Sequence, residues 1–292
     1  MNTNSTKINF IKMHGIGNDY VFIDCFKEKI DDPATLARLV SDRHFGIGSD
    51  GLILICPSDS SDIGMKMYNA DGSQGDMCGN GARCVAMYSY VNGLVEKKQF
   101  TLETKSGQKS VTINTDGDSV ESITIDMGVP RLTTDGLEDI EICGQKKRYI
   151  GVDVGNPHAM YFVESLEALS SMKLKGTGQY YEKHDRFADG VNSEFVWIED
   201  RKNIWMRVWE RGSGETLACG TGAVASAYAC INLGYCDDDI KVHLAGGNLD
   251  IKYDRMTGHI FLTGPATISY TGCIDIDSLG ALRGNECLVP KD

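Results

Sequence analysis

The sequence predicts a strand-rich α/β protein made of two similar halves. Three observations carry this. Short alternating apolar and polar segments, bounded by Gly, Asn and Asp, recur along the 292 residues. Each half holds one apolar helix with few charges. Each helix is entered through a Cys-Gly-x-Gly sequence, Cys78-Gly79-Asn80-Gly81 and Cys219-Gly220-Thr221-Gly222, at matched positions.

In the first half, residues 8–12 and 20–25 read as strands around the turn Gly15-Ile16-Gly17-Asn18-Asp19. Residues 33–42 read as a helix capped by Asp31 or Asp32, with Leu36, Leu39 and Val40 on its apolar side. Strands follow at 51–56 and 63–68, a buried helix at 82–90, and three alternating strands at 99–103, 109–114 and 120–127. Turn formers at Gly128 to Pro130 mark the boundary between halves. The second half repeats the order: strands at 149–152 and 159–163 flanking Asn156-Pro157-His158, strands at 193–198 and 204–209, a helix at 221–232, and strands at 240–244, 249–253, 260–262 and 267–272. Asn69 and Glu210, each at a strand end, stand at the same distance before Cys78 and Cys219, and the glycine-preceded Asn18 and Asn156 match as well.

Composition narrows the function. At 41% hydrophobic and 24% charged residues the chain can bury a sizeable core. Its net charge of −12, with no basic tract, disfavours binding to nucleic acid or to anionic membranes. No run approaches the apolar length of a spanning helix, and the polar residues 1–7 lack the core of a signal peptide, so a cytoplasmic protein is expected. None of the ten cysteines forms a CxxC pair, so no metal is expected, and most read as reduced, buried thiols.

The two Cys-Gly-x-Gly motifs are the exception. A cysteine at a helix start meets unpaired N–H groups and the positive end of the helix dipole, which favour thiolate. Flanking glycines let backbone amides approach an anion. Two such sites facing one another would hold a small carboxylate-bearing ligand between two thiols. One thiolate then takes a proton from a carbon while the opposite thiol delivers one, and the stereocentre inverts. The competing reading is a pair of inert buried thiols with glycines that serve close packing.

These residues bring the chain close to a known family. It resembles the diaminopimelate epimerases, pyridoxal-phosphate-independent enzymes of lysine and peptidoglycan precursor synthesis. The matching stretches are 13–20 (MHGIGNDY), 43–50 (RHFGIGSD), 69–73 (NADGS), 77–84 (MCGNGARC), 155–158 (GNPH), 210–216 (ERGSGET) and 218–222 (ACGTG). The resemblance implies two pseudo-symmetric α/β domains, each a β-barrel-like sheet around a central helix, with the site in the cleft. The domains would be 1–128 and 129–277, with 278–292 returning to the first.

It also implies residue roles. Cys78 and Cys219 would be the acid and base, assisted by His158 and Glu210. Amides near Gly79, Asn80, Gly220 and Thr221 would hold the carboxylate at the reacting carbon. Asn18, Asn69, Asn156 and Asn192 would bind substrate together with Glu210, and Arg211 would take the distal carboxylate with its bidentate fork. No cofactor is implied, and no lysine-centred Schiff-base motif is present. A homodimer through the second domain, with Tyr270 at the interface, is implied as well. The sequence departs at Gly51, a substrate-binding position where the family often has Gln and where the repeat places Asn192 opposite. Gly51 offers no side-chain hydrogen bond, so a backbone group or a water takes over there, or the distal end of the substrate is recognised differently. The alternatives are a racemase of another amino acid such as histidine or proline, the related isomerase of phenazine biosynthesis, which lacks the cysteine pair, and a non-catalytic amino-acid-binding protein.

Overall fold

A computed structural model describes residues 7–279. The first half runs β1 (Lys7–Gly15), β2 (Asn18–Asp24), α1 (Pro33–Ser41), β3 (Gly51–Cys56), β4 (Ile63–Asn69), β5 (Gln74–Gly75), α2 (Gly79–Val91), β6 (Gln99–Thr104), β7 (Gly107–Asp116) and β8 (Ser119–Gly128). After β9 (Arg131–Leu132) and β10 (Glu138–Ile142), the second half runs β11 (Gln145–Asp153), β12 (Pro157–Phe162), α3 (Leu166–Ser171), α4 (Leu174–Glu182), β13 (Asn192–Ile198), β14 (Asn203–Glu210), β15 (Gly214–Glu215), α5 (Gly220–Asn232), β16 (Asp239–Leu244), β17 (Gly247–Tyr253) and β18 (Ile260–Gly264), followed by β19 (Thr267–Asp275).

The pairings of the halves correspond strand for strand. β1 is antiparallel to β2, β2 parallel to β3, β3 antiparallel to β4, β4 parallel to β6, and β6, β7 and β8 form a meander. β11 to β18 repeat that series. Parallel neighbours need a crossover, and helices supply each one. α1 links β2 to β3, and α3 with α4 links β12 to β13. α2 and α5 link β4 to β6 and β14 to β16. β8 and β18 pair with each other, Ile125 opposite Leu262, so one continuous ladder passes through both halves.

Helix position follows from which faces are apolar. α2 and α5 are buried along almost their whole length, as helices wrapped by sheet must be. Along the strands beside α1, Phe22, Ile53 and Ile55 face the central core, whereas Val21, Ile23, Leu52 and Leu54 face outward onto Leu36 and Val40 of α1. Buried on both faces, these strands read as continuous apolar runs. α3 and α4 cover the second half in the same way, with Leu169, Leu174 and Tyr181 on Tyr161 and Phe195.

The strands that follow the two meanders change sides. β9 pairs with β11 of the second half, and β19 pairs with β1 of the first, from Lys7 opposite Asp275 to His14 opposite Thr267. The return to the first half therefore begins at Thr267, eleven residues before the expected Ser278, because β19 continues the sheet edge directly. Of the expected return segment 278–292, residues 280–292 lie outside the described residues, and Leu279 packs with Ile8 and Phe10 in the first half's outer core. The sequence also left α3, α4, β5, β9, β10 and β15 unassigned. α4 carries two glycines and has no side-chain cap, and three of the four strands are only two residues long.

A charged cluster ties the β1–β2 hairpin to the loop before β3. Lys12, buried in β1, bonds to Asp19 and to the Gly48 carbonyl, and Arg43 bonds to Asp19 at 2.8 Å and Asp50 at 2.9 Å. Burial opposes ionisation of Asp19, but hydrogen bonds from Arg43 and Lys12 outweigh it and hold the carboxyl below its usual range. Its stabilising contribution is thus complete above the ordinary aspartate value and is lost as pH falls through the lowered one. Asp19→Asn leaves Lys12 charged and buried with the Gly48 carbonyl but no carboxylate beside it. The expected cost is about 3 kcal/mol in urea unfolding at pH 7, with the gap to the parent protein narrowing on acidification.

Candidate active site

The two Cys-Gly-x-Gly motifs adopt one geometry. Cys78 and Cys219 are the N-caps of α2 and α5, with φ/ψ of −127°/118° and −121°/110°. Each sulfur accepts the N–H three residues on, from Gly81 and Gly222, at 3.3 Å. The helix starts abut: a Cβ on Gly220 would lie 3.7 Å from the Gly79 Cα. A Cβ on Gly81 would strike Ile53, and one on Gly222 would come within 2.8 Å of a Glu194 carboxylate oxygen. The second glycine of each motif thus lets the helix seat on its sheet.

A cleft of about 960 Å³ opens over these two ends. It is lined by Cys78, Cys219, Asn18, Asn69, Asn80, Asn156, Asn192, Glu210, Arg211, Gly79, Gly220 and Thr221, and so gathers residues that are far apart in the chain. A smaller hollow near Arg201 and Arg255 has its charges spent on Asp237 and Asp238. Among the described residues no helix is long and apolar enough to cross a membrane, and no group of three or more His, Cys, Asp or Glu is placed to hold a metal ion.

Cys78 stands 3.2 Å from Asn18 Oδ1, which also accepts from Asn80 Nδ2 at 3.1 Å. Arg83, wholly buried on α2, donates to Asn80 Oδ1 at 2.8 Å and so fixes that amide's orientation. Asn18 Nδ2 is held by Asp50 at 2.8 Å. Ile16, at the hairpin tip before Asn18, has φ +46°, a costly conformation for a β-branched residue, and is buried against Gly246 and Gly247.

Cys219 has acidic company instead. Glu210 hydrogen-bonds to it and accepts from Thr216. His158 lies behind the cleft wall, between Glu194 at 2.6 Å and Asn156 at 3.0 Å. Glu194 is fully buried, and its second oxygen has no hydrogen-bond partner among the described residues. The sequence reading missed Glu194. Its charge, two places after Asn192 in an apolar strand, was the available signal.

Neither thiol is lowered as a helix start alone would lower it. Burial pushes the Cys78 thiol up, against the Gly81 N–H and a hydrogen bond from Tyr20. Burial, then the charges of Glu210 and Glu194, pushes Cys219 well up. Burial also raises Glu210, against its bonds from Thr216 and Cys219. At these buried sulfurs desolvation outweighs the helix dipole.

The other expected residues divide by what they face. Arg211 donates to the Asp189 carbonyl at 3.3 Å and has no carboxylate partner among the described residues, because Glu215 is taken by Arg207. Asn192 spends its amide on the Pro157 carbonyl and the Arg211 N–H, at 2.9 and 3.0 Å, and so orients Arg211. Asn69 holds Ser73 at 2.9 Å. Gly51, expected in the substrate set, does not line the cleft. Tyr20 stands there instead, 6% exposed. Tyr270 is 47% exposed on β19, packed edge-on against Phe10 in the sheet of the first half rather than the second.

A family profile described as diaminopimelate epimerase matches residues 10–133 and 150–269. The chain belongs to the diaminopimelate epimerase family. A diaminopimelate epimerase of Agathobacter rectalis is 46% identical over 285 residues, covering 91% of this chain and 99% of that protein. One from Methanococcus maripaludis is 42% identical over 278 residues, covering 91% and 99%. Among solved structures, a hydroxyproline epimerase from Agrobacterium vitis superposes with a TM-score of 0.70 at 15% identity, covering 95% of this chain and 94% of that one. A phenazine biosynthesis protein of the PhzF family from Bacillus anthracis does so with 0.69 at 16%, covering 92% and 99%. At such identities these two show a shared fold of paired sheet-and-helix halves. Membership of the diaminopimelate epimerase family makes the chain an isomerase.

The departure at Gly51 has a steric cause. A Cβ there would lie 2.2 Å from the Tyr68 carbonyl oxygen and 3.0 Å from Tyr20 Cε1. Gly51→Gln should therefore cost about 1–3 kcal/mol by overpacking, read as a lower urea midpoint. An unchanged midpoint would mean that β3 and β4 separate freely there.

Proposed function

We propose that the protein epimerises LL-2,6-diaminopimelate to the meso isomer without a cofactor, with Cys78 and Cys219 as its two acid/base groups. The observation that carries this is the pair of thiols capping two abutting helices at the floor of one cleft. An α-carboxylate laid across the helix starts meets the free amides around Gly79, Asn80, Gly220 and Thr221 and both positive helix ends. There it gains charge stabilisation as the α-proton leaves.

In one direction a thiolate takes the α-proton. The C–H bond breaks and its electron pair stays on the carbon, delocalised into the carboxylate. The opposite thiol gives up its proton to the other face, so one sulfur gains a proton as the other loses one. Glu210, with its raised affinity for protons, is suited to take the Cys219 proton and to face the substrate ammonium. His158 and Glu194 support it from behind. Arg211, its charge unspent, suits the distal carboxylate, with Asn18, Asn69, Asn156 and Asn192 shaping the polar walls around the amines. A monocarboxylic substrate such as histidine or proline leaves Arg211 without a partner, which favours the dicarboxylate. The same logic supports a small-molecule partner and not nucleic acid or membrane.

The division into halves at about residue 128 is part of this reading, since each half brings one thiol to the cleft. So are a cytoplasmic location and a homodimer. β19 is a sheet edge exposing Ile268 and Tyr270, and an uncovered apolar edge invites a partner. Sedimentation at micromolar concentration should give a dimer, and a monomer alone would contradict it.

Each of Cys78→Ala and Cys219→Ala should abolish epimerisation in a folded protein. Arg211→Lys keeps charge but loses the fork, and should cost 10² or more in kcat/KM. Turnover in either alanine variant, or unimpaired Arg211→Lys, would sink the assignment.

A further inference from the structure

The repeat places the same backbone around both thiols but different chemistry. Around Cys219 stand His158, Asn192, Glu194 and Glu210. The matching positions around Cys78 hold Tyr20, Gly51, Ile53 and Asn69. Three polar or ionisable groups near one sulfur thus have neutral or apolar counterparts near the other, and Tyr20 alone keeps a titratable group.

The hydrogen-bond polarity around Cys78 sharpens the point. Arg83 can only donate, so Asn80 must turn its Nδ2 toward Asn18. Asp50 accepts from Asn18 Nδ2. Asn18 is thereby locked with its Oδ1 toward the sulfur, an arrangement that accepts from a thiol and cannot donate to a thiolate. Beyond the backbone N–H groups of Gly81 and Asn80, the side-chain donor beside a negative Cys78 sulfur is the Tyr20 hydroxyl, in the same cleft and next to Asn18. Its ring occupies the space beside Gly51, where a Cβ would come within 3.0 Å of it.

We propose that the Tyr20 hydroxyl is the side-chain hydrogen-bond donor to the Cys78 sulfur, and that Gly51 is glycine to admit its ring. This rests on the reading of Cys78 as an acid/base group. The other ionisable groups facing Cys78 are Glu210 from β14 and Arg83 and Cys84 from α2 itself, and Asp50 ahead of β3 faces Tyr20. Burial raises the Tyr20 phenol well above its usual range, so it stays a donor wherever the enzyme works.

The test is the pH dependence of iodoacetamide alkylation of Cys78 and Cys219 in the intact protein, each read by peptide mass. In Tyr20→Phe the Cys78 profile should move up by about one pH unit, a rate about tenfold lower at fixed pH on the rising limb, while Cys219 stays put. With diaminopimelate, kcat should fall about tenfold and KM change less than twofold. Incorporation of 3,5-difluorotyrosine at position 20, a more acidic phenol of the same shape, should move Cys78 the other way. An unmoved Cys78 profile in either variant, or equal movement of both cysteines, overturns the proposal. Alkylation needs no turnover, so a parent protein inert toward diaminopimelate would overturn the functional reading and leave the Cys78 profile to decide this one.

Discussion

Everything in the site depends on two helix starts held against one another. α2 and α5 each begin on a cysteine whose sulfur caps the first turn, and the two starts meet within van der Waals distance at Gly79 and Gly220. That contact turns the amides of both helix starts, and the positive ends of both dipoles, toward one volume. The β8–β18 pairing lies beneath it, with Leu262 under both glycines, so the ladder that unites the halves also sets the spacing of the thiols.

Burial then sets the chemistry. Burial raises both thiols and Glu210, which disfavours the ions the reaction needs in the free protein. The substrate brings an ammonium and carboxylates, and its arrival changes the balance: the ammonium offsets the charge of Glu210 and of a thiolate, and the helix ends offset the carboxylate. Desolvation that is unfavourable in the free protein strengthens each interaction aimed at the developing carbanion. Symmetry stops at the second layer, where Glu194 and His158 back one thiol and Ile53 and Tyr20 the other.

Much of this was legible in the sequence, for physical reasons. The repeated Cys-Gly-x-Gly exposes the duplication because the second glycine must pass Ile53 or Glu194 at close range and tolerates no side chain. The central strands were legible because burial on both faces makes them apolar throughout. The crossed strands β9 and β19 were not, since nothing local in a strand tells which half it will join. Glu194 escaped because one acid in an apolar strand declares its partner only when His158 is brought beside it. The thiols were expected low and are raised, because a helix start is a local feature whereas desolvation is set by the tertiary packing around each sulfur.

The most direct test of the two-thiol account is turnover of LL-diaminopimelate in deuterated water, stopped early. One thiol removes the proton and the other delivers a solvent-derived one. The meso product should therefore carry deuterium at the inverted carbon, with little label in the recovered LL isomer. Equal early labelling of both isomers would mean that a single exchanging base serves both faces, and would contradict the account.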